Sequence, residues 1–220
     1  MRFLSLTSFL FAVGTATAFS IYLPGQPGAL SEGVYRNVRL CHGIPLGGIG
    51  CGSLEIGTDG WFDRLKINNN WKAYLPRPES SFLGVWLDDG DRKVFRVLRL
   101  SDPVLESIDE ITYTGVFPQA SLVFSDDDLP LEITLDAWSP LIVWNIKDSS
   151  LPGGIFCFRY KNSTDRRLDV AFTFAWENLI GIGVDPGTGV PWEDRTGNYQ
   201  EIRHSWRVAG LLFGTTREIK

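Results

Sequence analysis

The chain has little of what metal centres and nucleophilic hydrolases are built from. Its 220 residues hold two histidines, His42 and His204, and three cysteines, Cys41, Cys51 and Cys157. There is no CxxC pair and no cysteine with a histidine at ligand spacing, so no zinc site is encoded. The signatures GxSxG and HExxH are also missing, which leaves nucleophile-elbow and zincin chemistry without support. Clustered Lys and Arg are absent, and the net charge is −5. Phosphate backbones need a basic surface, so this balance argues against nucleic acid as a partner. Helical periodicity is lacking as well. Beyond the N-terminal segment, no stretch of eleven or more residues places apolar side chains at i, i+3, i+4 and i+7.

What the chain has is apolar and aromatic mass, cut into short pieces. Hydrophobic residues make up 44% of the sequence, which places it among globular proteins and not disordered ones. Eight tryptophans are enough to fill a β core, or to give flat platforms for sugar rings. Short runs rich in β-branched and aromatic residues alternate with Gly, Pro, Asn and Asp. Strands are predicted over 53–56, 61–67, 81–87, 93–100, 110–117, 120–125, 131–137, 141–146, 155–161, 168–177, 199–205 and 208–214. The first two read as a hairpin over Thr58-Asp59-Gly60, the next two as a hairpin over residues 88–91. Leu168, Val170, Phe172, Phe174 and Trp176 fall on one face of a half-buried strand. Evenly spaced strands of this kind predict an all-β fold, an antiparallel β-sandwich.

The N-terminus reads as a secretory leader. Arg2 is a short basic region, residues 3–13 are mostly apolar, and Ala16-Thr17-Ala18 is a small-x-small cleavage pattern. Residues 1–18 are therefore expected to be a signal peptide and residues 19–220 one domain. No repeat, low-complexity tract or linker divides the latter. The apolar run is short and broken by Ser and Thr, so a spanning helix is the lesser reading. Asn162-Ser163-Thr164 is an N-glycosylation sequon placed between two strands, which agrees with export. Cys41 and Cys51 flank a glycine-rich stretch that can curl back and pair them; buried reduced thiols are the equal alternative.

That stretch, Gly43-Ile44-Pro45-Leu46-Gly47-Gly48-Ile49-Gly50-Cys51-Gly52, is not a phosphate loop. It lacks the Lys-Ser/Thr of the P-loop, and strand-like sequence follows it where a dinucleotide fingerprint needs a helix. It reads as a shaped backbone crossing that starts a sheet. Acidic residues are many, yet no pair stands out as the two carboxylates of a glycosidase. Asp126-Asp127-Asp128 reads as a solvated turn, without the ligand spacing of a calcium loop. Glu177 and Asn178 either hold a loop or face a cleft. Trp192, in the polar loop 184–198, is the candidate exposed aromatic for binding a substrate ring.

The run from Gly43 to Asn70, with the core Gly43 to Gly52, Gly60, Phe62 and Asn68-Asn69-Asn70, resembles the opening of the N-terminal domain of glycoside hydrolase family 116. That family contains the non-lysosomal glucosylceramidase, also called bile acid β-glucosidase, and related β-glucosidases and β-xylosidases. Ser139-Pro140-Leu141-Ile142 and the Phe-x-Phe-x-Trp-Glu-Asn strand (172–178) fit as well. The resemblance implies a large antiparallel sandwich followed by an (α/α)6 barrel, and a β-glucoside or glucosylceramide as substrate. The family's nucleophile Glu and acid/base Asp lie in the barrel, so neither is carried over to any residue here, and no cofactor is expected. The chain then reads as an N-terminal fragment, its sandwich incomplete and its barrel missing, with that catalytic domain as its partner. The leader departs from the best-known member, which is not secreted, and favours an exported relative. A free-standing secreted carbohydrate-binding or adhesion module, using Trp192, is the competing reading.

Overall fold

The computed structural model describes residues 33–39, 43–66, 73–185, 187–206 and 209–217. Residues 1–18 (predicted as a leader), Cys41, His42 and the Asn68-Asn69-Asn70 motif lie outside the described residues. The largest sheet has five antiparallel strands: β1 (Gly33–Arg36), β7 (Glu110–Val116), β8 (Gln119–Ser125), β9 (Leu131–Trp138) and β10 (Ile155–Asn162), in the order β1-β7-β8-β9-β10. Strict alternation builds it. In β9, Leu131, Ile133, Leu135 and Ala137 are buried, while Glu132, Thr134 and Asp136 point outward.

Two smaller sheets cover its inner face. One is β11 (Asp169–Ala175), β5 (Phe82–Asp88) and β6 (Lys93–Val97), in the order β11-β5-β6. The other is β2 (Ile44–Leu46), β3 (Ser53–Ile56) and β4 (Phe62–Lys66). Leu83, Val85, Leu87, Ile56 and Leu65 meet the large sheet's Ile111, Leu122, Phe124 and Leu135 in one apolar core. Phe62 is fully buried, and its ring lies 5.9 Å from Phe156, 5.6 Å from Phe174 and 5.1 Å from Trp176. Phe158 stacks on Phe172 at 4.6 Å between the layers. Complete burial of each large side chain is worth about 1.5–3 kcal/mol, so this shared core holds the sheets together. The fold is thus a sandwich-like all-β domain.

Two further hairpins follow: β12 (Ile182–Val184) with β13 (Pro191–Glu193), and β14 (Asn198–His204) with β15 (Ala209–Thr215). The alternating face of β11 is as expected, with Val170, Phe172, Phe174 and Trp176 packed against the core. Hairpin β3–β4 turns on Gly60 at φ +81, with Asp59 accepting from the Trp61 N–H.

One predicted strand does not exist. Residues 141–146 lead through a turn into a single helical turn, α1 (Ile146–Ser149). The continuous apolar run Leu141-Ile142-Val143-Trp144 mimics a buried strand, but side chains take the backbone groups a neighbouring strand would need. The Ser149 hydroxyl accepts from the Ile142 N–H at 2.9 Å and donates to the Ile142 carbonyl at 3.2 Å. Asn145 caps α1 by accepting from the Asp148 N–H at 3.1 Å. Conversely β1, β2, β12 and β13 were not predicted. Each spans three or four residues, too few for a period of two to show.

Candidate functional site

The glycine cluster is the tip of hairpin β2–β3, where Leu46 pairs with Leu54 and the chain reverses through residues 47–52. Its base is held from below. The buried Glu55 carboxylate accepts from the Gly43 N–H at 2.9 Å, and the Tyr113 hydroxyl accepts from the Ile44 N–H at 2.8 Å. Burial pushes the Tyr113 pKa up, against the smaller downward pull of that N–H.

The tip is pressed onto the 139–153 segment that joins β9 to β10. The Gly47 N–H donates to Ser139 Oγ at 2.6 Å, and that hydroxyl donates to the Gly153 carbonyl at 3.0 Å. The Ile49 N–H donates to the Ser149 carbonyl at 2.9 Å, and the Cys51 thiol to the Ser150 carbonyl at 2.9 Å. Two glycines show why the cluster exists. A Cβ on Gly48 would sit 2.4 Å from the Leu151 carbonyl oxygen, so only glycine allows the crossing. Gly50, at φ +75, has open space around it and supplies the left-handed turn instead.

This crossing displays an apolar surface. A cleft of about 200 Å³ runs along the tip, lined by Pro45, Gly48, Ile49, Phe117, Pro140 and Leu141 among others. Beside it, Ile142, Val143, Ile146 and Leu151 are exposed, and Trp144 is 99% exposed. Trp144 sits at φ +65, a conformation that costs a non-glycine residue about 1–2 kcal/mol. The Asn145 cap and the Ser149 hydroxyl hold it there, so the indole is presented on a fixed turn. Exposed apolar residues grouped in this way make the face a candidate contact surface.

The carboxylates do structural work. Asp126 binds Arg96 at 2.9 Å, Asp102 binds Arg99, and Asp59 accepts from the Trp61 N–H and pairs with Arg39. Glu177 accepts from the Ser80 N–H at 2.7 Å, and Asn178 donates to the Tyr199 carbonyl at 3.2 Å while accepting from the Ile180 N–H. The pair Glu177/Asn178 therefore ties β11 to its surroundings. Backbone N–H groups hold Asp89 and Asp185 below the usual carboxylate range, and Thr196 does the same for Asp194. No group of three or more His, Cys, Asp or Glu able to hold a metal occurs among the described residues.

The sequence-predicted residues do not converge. Trp192 lies on β13, half exposed, with its ring flat against Gly183, where a Cβ would fall 2.3 Å from the indole. Asn162 ends β10, at the opposite end of that strand from the glycine tip. Cys51 is exposed on the tip. Trp144 was hidden from sequence reasoning inside a predicted strand; Pro140 before it and Asn145 after it were the available signals. Residues 43–219 match a family model described as beta-glucosidase 2, glycosyl-hydrolase family 116 N-term, a match that opens on the first glycine of the cluster.

Proposed function

Because the chain belongs to the family of glycoside hydrolase family 116 N-terminal domains, we propose that it is the non-catalytic sandwich of an enzyme acting on β-glucosides or glucosylceramide. Hydrolysis falls to an (α/α)6 domain of the same protein, and the sandwich seats against that domain through the Trp144 face. The observation that supports the non-catalytic reading is the state of the most deeply buried carboxylates. A retaining glycosidase needs two carboxyl groups about 5–5.5 Å apart, one of them kept protonated by a raised pKa. Here Asp126, Asp102, Asp59 and Glu55 are spent on arginines and backbone N–H groups. Asp89, Asp185 and Asp194 shift the wrong way for an acid.

The docking half rests on Trp144 and its aliphatic neighbours. An indole burying roughly 200 Å² at about 25 cal/mol per Å² contributes up to about 5 kcal/mol to a contact. The folded 220-residue chain, checked by far-UV circular dichroism, is expected to give no turnover of an aryl β-glucoside. Turnover that co-elutes with the folded chain through two purification steps would overturn the non-catalytic reading. In the full-length enzyme, Trp144→Asp is expected to lower the melting temperature of the catalytic domain. An unchanged melting curve and unchanged activity would remove this face as the docking surface.

A further inference from the structure

We propose that Asn162 carries an N-linked glycan, placed at the end of the sandwich that faces away from the Trp144 surface. Among eight asparagines, Asn162 alone begins an Asn-x-Ser/Thr triplet. The triplet is built as a compact turn in which Asn162 is half-buried and Ser163 and Thr164 are exposed. Asn162 Oδ1 accepts from the Thr164 N–H and from the Thr164 hydroxyl, both at 2.8 Å, so the amide and the +2 hydroxyl share one side of the turn. Residues 163–167 are all exposed, and the polar contacts nearby are those of a solvated surface: Arg166 with Asp91, Arg167 with Asp169. Asn162 Nδ2 donates to the Arg166 carbonyl at 2.6 Å in the folded chain. A glycan added during synthesis, before this turn closes, costs only that exposed bond.

Position gives the inference its content. In the β9–β10 ladder, Asn162 pairs with Leu131 at one end and Ile155 with Trp138 at the other. Seven steps at about 3.3 Å put the sequon roughly 23 Å along the sheet from the segment that carries Trp144. A bulky sugar is tolerated here and would be excluded at the docking end. It would also stand at the end of β10, an edge strand among the described residues, where it would hinder edge-to-edge pairing with another chain.

The chemistry balances with a named donor. A lipid-diphosphate-linked oligosaccharide supplies the sugar: its C1–O bond breaks, a C1–N bond to Nδ2 forms, Nδ2 loses a proton, and the lipid diphosphate leaves. This requires export, which the leader at residues 1–18 would provide.

The test is expression of the whole chain, leader included, in a eukaryotic secretory host. The protein recovered from the medium is expected to shift in mobility on peptide:N-glycosidase treatment, with Asn162 converted to Asp in its tryptic peptide. Asn162→Gln and Thr164→Ala should abolish the shift, and Thr164→Ser should retain it. Deletion of residues 1–18 should give unmodified chain. Secreted protein with an unmodified Asn162 would overturn the proposal, and so would intact chain found unmodified in the cytosol. The wild-type peptide alone decides the matter if a variant fails to fold.

Discussion

Substituting Gly48 by alanine puts one methyl group where the glycine tip crosses the 149–151 backbone. The added carbon meets the Leu151 carbonyl oxygen at 2.4 Å and the Ser150 carbonyl carbon and oxygen at 2.6 Å. These are backbone atoms, so no side-chain rotation relieves the overlap. The tip must lift, which strains or breaks the Ile49-to-Ser149 hydrogen bond and the Cys51-to-Ser150 contact. Overpacking costs about 1–3 kcal/mol and each lost hydrogen bond about 1 kcal/mol, so the variant should lose about 2–4 kcal/mol. Gly50→Ala is the control. It meets nothing within 4 Å but must hold φ +75, which costs about 1–2 kcal/mol and is eased by asparagine. Urea unfolding reads both. At a slope of about 2 kcal/mol per molar, Gly48→Ala should lower the midpoint by about 1–2 M, and Gly50→Ala by about half as much. Gly50→Asn should recover part of the loss. A Gly48→Ala midpoint equal to wild type, or a Gly50→Ala loss larger than that of Gly48→Ala, would refute the close-crossing argument.

Two further outcomes follow from the same region. Ser139→Ala strands the Gly47 N–H and the Gly153 carbonyl in a partly buried site, and should cost about 1–3 kcal/mol in urea unfolding; its effect should not add to that of Gly48→Ala, because both act on one contact. Tyr113 has its folded pKa raised above the ordinary 10.0 by burial, so its contribution to stability is complete below about pH 10 and is lost as pH rises through the folded value. Alkaline unfolding followed by circular dichroism should therefore begin above pH 10, and Tyr113→Phe, destabilised at pH 7 by the unpartnered Ile44 N–H, should show a weaker alkaline decline than wild type.

Long alternating runs made most of the sandwich legible. Residues 131–137 and 168–177 carry four or five core side chains each at a spacing of two, and no helix satisfies that pattern. The Asp-Gly turns after Thr58 and Asp88 fixed two hairpins for the same local reason. The glycine cluster was legible as shaped backbone, but what it shapes was not. The 139–153 segment that Gly48 accommodates lies about 100 residues away, and no local pattern announces such a partner. The Trp144 turn was misread because a short apolar run, Leu141 to Trp144, was present without a sheet to receive it. Its backbone groups go to Asn145 and Ser149 side chains, which a periodicity argument does not see. Trp192 was sought as an exposed ring and is half exposed, yet the more exposed ring is Trp144.

The place of β5 between β6 and β11 sets a schedule for synthesis. β6 follows β5 after a four-residue turn, but β11, which pairs Phe172 with Val85, is translated roughly 90 residues later. At about 5–20 residues per second, β5 waits about 4–18 s with one backbone edge bare. The five-stranded sheet, whose strands β7 to β10 pair with their immediate successors, has time to form in that interval. The ribosome thus acts as a timer, and codons that slow translation between residues 100 and 170 would lengthen the most aggregation-exposed stage in the life of this chain.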